Sequence, residues 1–330
     1  MNRSTTGIRL SQTLEMPWTR SPRLAAYRSA RESARLDLEE QRLELRFEVS
    51  RHYYRILYLQ DRVAVQERNL ESLEQTVQLV AARARQGEVR ELERLKLQVE
   101  AMRTHNNLHE TEGELAGARA ALDRRLGDVM PEGFRLSGVL EAEPAPLDSL
   151  DLLARLRAER PALHRSALAV EQARQELATE RGGRLLPSEY LLTVFHEEGL
   201  DGRVTGLGVS ATLPFLWDVR TRRIRQGLAE VNRREQEQRA LELELAGAVN
   251  DQLRRLRLAG EHLAFFREGL LEQADMALRI AQTTYDAGEL SLIDYLDARR
   301  TWESIMSEYQ ASLLEWNIER AALERATGGR

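Results

Sequence analysis

Hydrophobic residues recur every seven positions over two long stretches of the chain. Val49, Ile56, Val63, Leu70, Val77 and Ala84 form one unbroken row. Leu59, Leu73 and Val80 supply the intervening d positions, with Gln66 as the polar exception. A second row runs Val249, Leu256, Leu263, Leu270 and Ala277, with Ala259, Phe266 and Ile280 at d. Two apolar positions per seven keep one seam turned toward a neighbour, so both stretches are predicted to be coiled-coil helices. The eight prolines agree, because none falls within 23–130 or 215–330 and each would cost a helix interior about 3 kcal/mol. A helix over 22–86 would run roughly 100 Å at 1.5 Å per residue.

Elsewhere the period drops to two. Leu207, Val209, Ala211, Leu213 and Phe215 alternate with Gly208, Ser210 and Thr212. Ile8, Leu10, Leu14 and Met16 alternate with Arg9, Ser11, Thr13 and Glu15. A strand that is apolar on one side and small or charged on the other fits a membrane barrel with lipid outside and water inside. It also fits a half-buried strand of a soluble sheet, but a soluble sheet has no reason to adjoin so long a coiled coil. A third strand is predicted from Tyr190 to Phe195, before the loop HEEGLDGRVTG (196–206).

The two halves repeat one another. GIRLSQTLEMPW (7–18) aligns with GLGVSATLPFLW (206–217), QGEV (86–89) with AGEL (287–290), and AALDR (120–124) with AALER (321–325). The chain therefore reads as a duplication with a period near 200 residues, each unit running strand, long helix, tight turn, shorter helix. The first repeat, 1–160, is expected to hold a strand at 7–16, a helix at 22–86, a tip at 87–89, a helix at 90–127 and a linker at 128–160. The second, 161–330, should hold a helix at 161–185, strands at 188–196 and 204–215, a helix at 218–286, a tip at 287–290 and a helix at 291–327. Gly87 and Gly288 mark the turns, as residues suited to a left-handed helix end. The fold class is mainly α: antiparallel coiled-coil hairpins in two repeats, with short strands belonging to a barrel.

Composition narrows the function. Charged residues make up 31% and hydrophobic ones 42%, which argues against both disorder and a bundle of membrane helices. The net charge of -5 gives no reason to expect nucleic acid as a partner. Cysteine is absent, which removes disulfides, thiolate metal sites and cysteine nucleophiles. MNRSTTGIRL lacks the apolar core of a secretory signal, so targeting information is expected to lie outside this sequence. There is no Ser/His/Asp elbow, phosphate loop, dinucleotide glycine pattern or HExxH. An enzyme is disfavoured, and no cofactor is implied.

RPAL (160–163), Leu186-Pro187 before a strand, and ATLPFLW before an arginine-rich helix (211–225) resemble TolC-like outer-membrane efflux channels. The strongest likeness is YDAGELSLIDYLDARRTWESIMSEYQASLLEWNIERAALERATG (285–328), which is similar to the last helical hairpin of that family. The resemblance implies an outer-membrane channel subunit with a periplasmic extension, serving tripartite efflux or type I secretion as a passive conduit for small molecules or metal ions. It implies a homotrimer whose protomers each give four strands to a lipid-embedded barrel. The implied partners are a periplasmic adaptor protein and an inner-membrane pump. Only three strands are visible, so a helix and a strand are expected to precede Met1.

The resemblance also assigns residues. An acidic pair after the tip glycine lines the periplasmic entrance, and Asp294 and Asp297 hold those positions. By the repeat, Glu93 matches Asp294, while Lys96 stands where a second acid would. Some members carry an entrance-closing arginine two residues after the glycine; Leu290 replaces it. Gly87, Glu88 and Val89, with Gly288, Glu289 and Leu290, correspond to the tips where adaptors dock. Surface acids at helix starts, where the dipole favours negative charge, are the alternative account of Asp294 and Asp297, and the aperture is the favoured one. His105 and His109 have the four-residue spacing of two metal ligands, but no third lies near in sequence, so they read as solvated. Arg222, Arg223, Arg225, Arg254, Arg255 and Arg257 read as solvated or interhelical. Trp18 and Trp217 suit an interfacial aromatic belt or packing at the strand–helix junction. A soluble coiled-coil scaffold is the competing reading.

Overall fold

The computed structural model describes residues 6–87, 89–143, 147–182, 187, 189–199, 202–211 and 217–329. Glu88, the strand positions 212–215 and the helix end 183–185 lie outside the described residues. In chain order the elements are β1 (Thr6–Glu15), α1 (Pro17–Arg85), α2 (Glu91–Leu126), α3 (Ser149–Glu159), α4 (Pro161–Gly182), β2 (Glu189–Gly199), β3 (Gly202–Ala211), α5 (Trp217–Phe265), α6 (Leu271–Asp286) and α7 (Leu292–Thr327). A five-residue π turn, Phe266–Leu270, joins α5 to α6. No described helix is long and apolar enough to cross a membrane.

Several boundaries differ from the sequence reading for identifiable reasons. The first long helix starts at Pro17 rather than Pro22, because proline is well suited to the first helical position. Pro22 then sits inside the helix and cannot donate to the Trp18 carbonyl. A Cβ on Gly182 would come within 2.5 Å of that carbonyl oxygen, so only glycine lets α4 approach so closely. Residues 128–160, expected as linker, include α3, whose Leu152 and Leu156 are buried. Pro144 and Pro146 masked this short amphipathic helix in the sequence. The predicted helix 218–286 is interrupted by the π turn, where Gly269 adopts φ 134°.

The chain forms two compact units, each drawing on both halves of the sequence. One comprises 1–42 and 157–246, and contains the sheet. Both β1 and β3 pair antiparallel with β2, giving the order β1-β2-β3. Leu10, Val194 and Leu207 stand abreast on one face, as do Gln12, Leu192 and Val209. The opposite face aligns Ser11, Thr193 and Gly208, then Arg9, Phe195 and Gly206. There Arg9 pairs with Glu197 at 3.1 Å. The Phe195 ring fills the space a Gly206 side chain would need, 2.4 Å from the nearest ring atom. The same unit packs α4 through Ala173, Leu177 and Val231, flanked by the pairs Arg160–Glu40 and Arg174–Glu235.

The second unit comprises 43–156 and 247–330. One core cluster joins Ile56 and Leu59 to Leu115, Ala118 and Leu122. Another joins Leu73, Val80 and Leu97 to Ala281, Tyr285, Leu292, Tyr295 and Leu296. Segment 134–143 lies against these helices, with Phe134 and Leu136 packed on the first cluster and the Tyr53 hydroxyl donating to the Ser137 carbonyl at 2.8 Å. Gln60 bonds both backbone groups of Leu136 at 3.0 Å, acting as a substitute strand partner. Arg267 and Asn317 donate to the carbonyls of Ala142 and Glu141.

Candidate functional site at the helical tips

Each helical hairpin of the second unit turns on a glycine with positive φ, 77° at Gly87 and 80° at Gly288. The Gly288 N–H donates to the Tyr285 carbonyl at 2.9 Å, closing the end of α6. Ser291 then caps α7: its Oγ accepts from the Asp294 N–H at 3.2 Å and donates to Asp294 Oδ2 at 2.7 Å. Asp294 is therefore tied to the capping serine at a helix N-terminus, where negative charge is favoured. It remains exposed, as does Asp297.

Glu93 lies half-buried in the first turn of α2. Its charge faces Tyr285, which stacks on Tyr295 with ring centroids 5.0 Å apart. Burial first, then the negative charge of Glu93, pushes the Tyr285 hydroxyl up to about 12. The Arg83 guanidinium donates to the Asp286 carbonyl, tying α1 to the end of α6. Arg300 of α7 pairs with Glu100 of α2 at 2.8 Å, and Asp297 adds to the field that raises the Arg300 pKa. Lys96 is exposed on the same helix as Glu93.

The five described tip residues do not form one uniform exposed surface. Val89 and Leu290 turn inward and pack against the tip cluster. Gly87, Gly288 and Glu289 are exposed. The exposed apolar side chains are instead Leu92 and Ile293, 60% and 66% accessible. Each lies five residues after its glycine, which the repeat could have flagged. His105 and His109 are exposed, and His109 contacts Glu112 at 3.4 Å. Among the described residues, no three His, Cys, Asp or Glu side chains are grouped to hold a metal ion. Arg254 pairs with Asp251, and Arg257 donates to the Leu147 carbonyl, so these cations serve local contacts.

The sheet adds the second functional feature. Ile8, Leu10, Leu207 and Val209 are 69% to 81% exposed on one face, which turns polar toward the β2–β3 turn with His196 bonded to Thr205 and Glu198 paired with Arg203; the other carries the Arg9–Glu197 pair, small polar residues, Phe195 and Val204. A broad apolar face left open marks contact with lipid or a partner. Helical hairpins joined to strands with one lipid-type face and one water-type face define a membrane channel subunit of the barrel-and-coil class.

Comparison with known proteins identifies the family. Residues 1–128 and 152–329 match the outer membrane efflux protein family, and the chain belongs to it. It is 22% identical over 327 residues to the cobalt-zinc-cadmium resistance protein CzcC of Cupriavidus metallidurans, covering 98% of this chain and 77% of that one. The fold matches the outer-membrane channel OprN, with TM-score 0.77 and 17% identity, over 99% of this chain and 82% of that one. It also matches CusC, with TM-score 0.76 and 18% identity, over 99% and 78%. The open state of the Neisseria gonorrhoeae channel MtrE gives TM-score 0.76 and 16% identity, over 99% and 81%. The protein is thus an efflux channel component of the outer membrane extending into the periplasm. Its family and structural relatives are channel proteins.

Proposed function

We propose that three copies of this chain form a passive conduit through which a pump-driven system expels small cations, divalent metal ions among them. Family members form trimers and act with adaptors and inner-membrane pumps, and CzcC carries cobalt, zinc and cadmium in its name. The observation that carries the reading is the sheet, whose Ile8, Leu10, Leu207 and Val209 form an exposed apolar band on one face while Arg9, Ser11, Thr13 and Thr193 lie on the other. The two repeats, 1–160 and 161–330, each contribute one hairpin tip. Asp294, Asp297 and Glu93 of each protomer line the entrance. Gly87, Glu88, Val89, Gly288, Glu289 and Leu290 shape the adaptor-docking turns, with Leu92 and Ile293 as their apolar knobs.

Converging carboxylates attract cations, an effect screened over roughly 8 Å at physiological salt. Asp294→Asn with Asp297→Asn should therefore lower cation preference, most strongly at low salt. Reversal potentials of the reconstituted channel under a salt gradient check this. Selectivity unchanged at low and high salt alike would leave these acids as surface charges whose business is helix capping.

A further inference from the structure

Two arginines of the second unit, Arg119 and Arg135, line one cavity of about 260 Å³. Arg119 stands on α2 beside Leu115, Ala118 and Leu122, which are buried against Ile56 and Leu59 of α1. Its stem therefore leaves solvent, and its Nε is buried with no hydrogen-bond partner. Arg135 comes from the segment after α2, between Phe134 and Leu136, which pack on the same cluster. Gln60 fixes both backbone groups of Leu136 at 3.0 Å, so the backbone that carries Arg135 is held. Val63, Ala64 and Leu115 give the cavity an apolar wall, and Glu67 is the acid on its lining. Glu67 is exposed, and among the described residues neither arginine forms an ion pair or a hydrogen bond. Burial, and then the Arg135 charge, lowers the Arg119 pKa. Arg125, further along α2, shows the ordinary solution by pairing with Glu48 at 2.9 Å.

Two like charges sharing a partly buried site disfavour one another until a counter-charge joins them. Each desolvated donor left unmet adds its own cost. Guanidinium forks match the paired oxygens of a phosphate or sulfate, and a spherical anion such as chloride cannot bridge both forks as well. Size selects in the same direction, because drug-sized ligands occupy roughly 300–1,000 Å³ and this cavity falls below that range. We propose that Arg119 and Arg135 form a binding site for a small oxyanion of the phosphate or sulfate type, which clamps the segment after α2 onto α1 and α2. The site is independent of the conduit reading, and its test needs no transport.

Thermal denaturation of the purified full chain, followed by circular dichroism, compares sodium phosphate with sodium chloride of equal ionic strength. The melting temperature should rise with phosphate and then level off, as binding to the folded state alone requires. A rise without a plateau, or one that chloride matches, would be a salt effect on the whole surface and would overturn the proposal. Arg135→Gln removes an exposed cation. Without phosphate it should melt no lower than the parent, since a like charge has gone, and its phosphate response should be lost. Arg119→Gln should lose the response as well; if that variant does not fold, Arg135→Gln carries the test. Glu67→Gln should tighten phosphate binding severalfold, read by isothermal titration. Should Glu67→Gln instead melt lower, with Arg135→Gln adding nothing further, Glu67 is the counter-charge and the proposal fails. Free phosphate and glycerol phosphate separate two sources of the same chemistry: tighter glycerol phosphate binding assigns the site to a phosphate-bearing headgroup, and equal or weaker binding to the free ion. An Arg135→Gln variant that responds like the parent would sink the site. So would a parent without a saturable response whose trimer is lost on Arg135→Gln, because a carboxylate of another copy would then neutralise the pair.

Discussion

Tyr285 shows how one residue joins tip packing to charge. It is 6% exposed, stacked on Tyr295 and faced by Glu93. Its neutral form is favoured in the folded chain, so its folded pKa lies above the unfolded value. The stabilisation is then whole below about pH 10 and lost as the pH rises through about 12. The effect is worth up to about 2 kcal/mol. Spectrophotometric titration should show a late-ionising tyrosine, and Tyr285→Phe should remove it. A titration curve unchanged by that substitution would show that the ring is wetter than its packing implies. The acids were readable by position, since Asp294 and Asp297 follow the tip glycine. Their use was not readable, because capping by Ser291 and the turning of Glu93 toward Tyr285 depend on local backbone geometry.

At the scale of the element, the π turn explains where the heptad reading failed. The row was expected to continue through Ala277 and Ile280, yet Ala277 is exposed and Ile280 is 58% accessible. The seam instead takes Ala274, Leu278, Ala281 and Tyr285. Each lies one residue beyond the heptad expectation or its neighbour, which is what a single inserted residue does to a helix. The signal was present in the sequence. Val249 minus Val49 and Leu256 minus Ile56 both give 200, whereas Gly288 minus Gly87 and Asp294 minus Glu93 both give 201. The second repeat has gained one residue between these points, and the structure absorbs it at Phe266–Leu270. Helix identity, hairpin order and strand faces were legible because they follow from period alone. The π turn and α3 were not, because one is a local defect and the other hides between prolines. Gly269→Ala forces an L residue to φ 134° and should lower stability by about 1–3 kcal/mol. Deleting Gly269 removes the extra residue, leaves the tip seam in register, and should cost less. Thermal denaturation followed by circular dichroism ranks the two; a deletion worse than the alanine would refute the insertion account.

At the scale of the whole molecule, the chain displays apolar surface that a solitary protomer has no use for. Leu95, Val99 and Met102 line one side of α2 at spacings of four and three, all exposed. That is a second heptad seam, distinct from the face on which Leu97 is buried. On α6, Met276 and Ile280 are exposed one turn apart. These residues sit opposite to the demand of a water-facing helix, whose exposed side should be polar. In a ring of three copies, the α2 seam and the α6 pair are apolar strips open to packing between protomers. Placing carboxylates in that seam would bury charges without partners, a strongly destabilising change at an interface of about 2–5 kcal/mol for each unpaired charge. Val99→Glu with Met102→Glu should therefore abolish the trimer in detergent, read by light scattering. Helix content by circular dichroism should not change, because the substituted positions lie outside the protomer's own core. If the trimer persists at full yield, the seam faces solvent or the lumen and another surface must hold the three copies together.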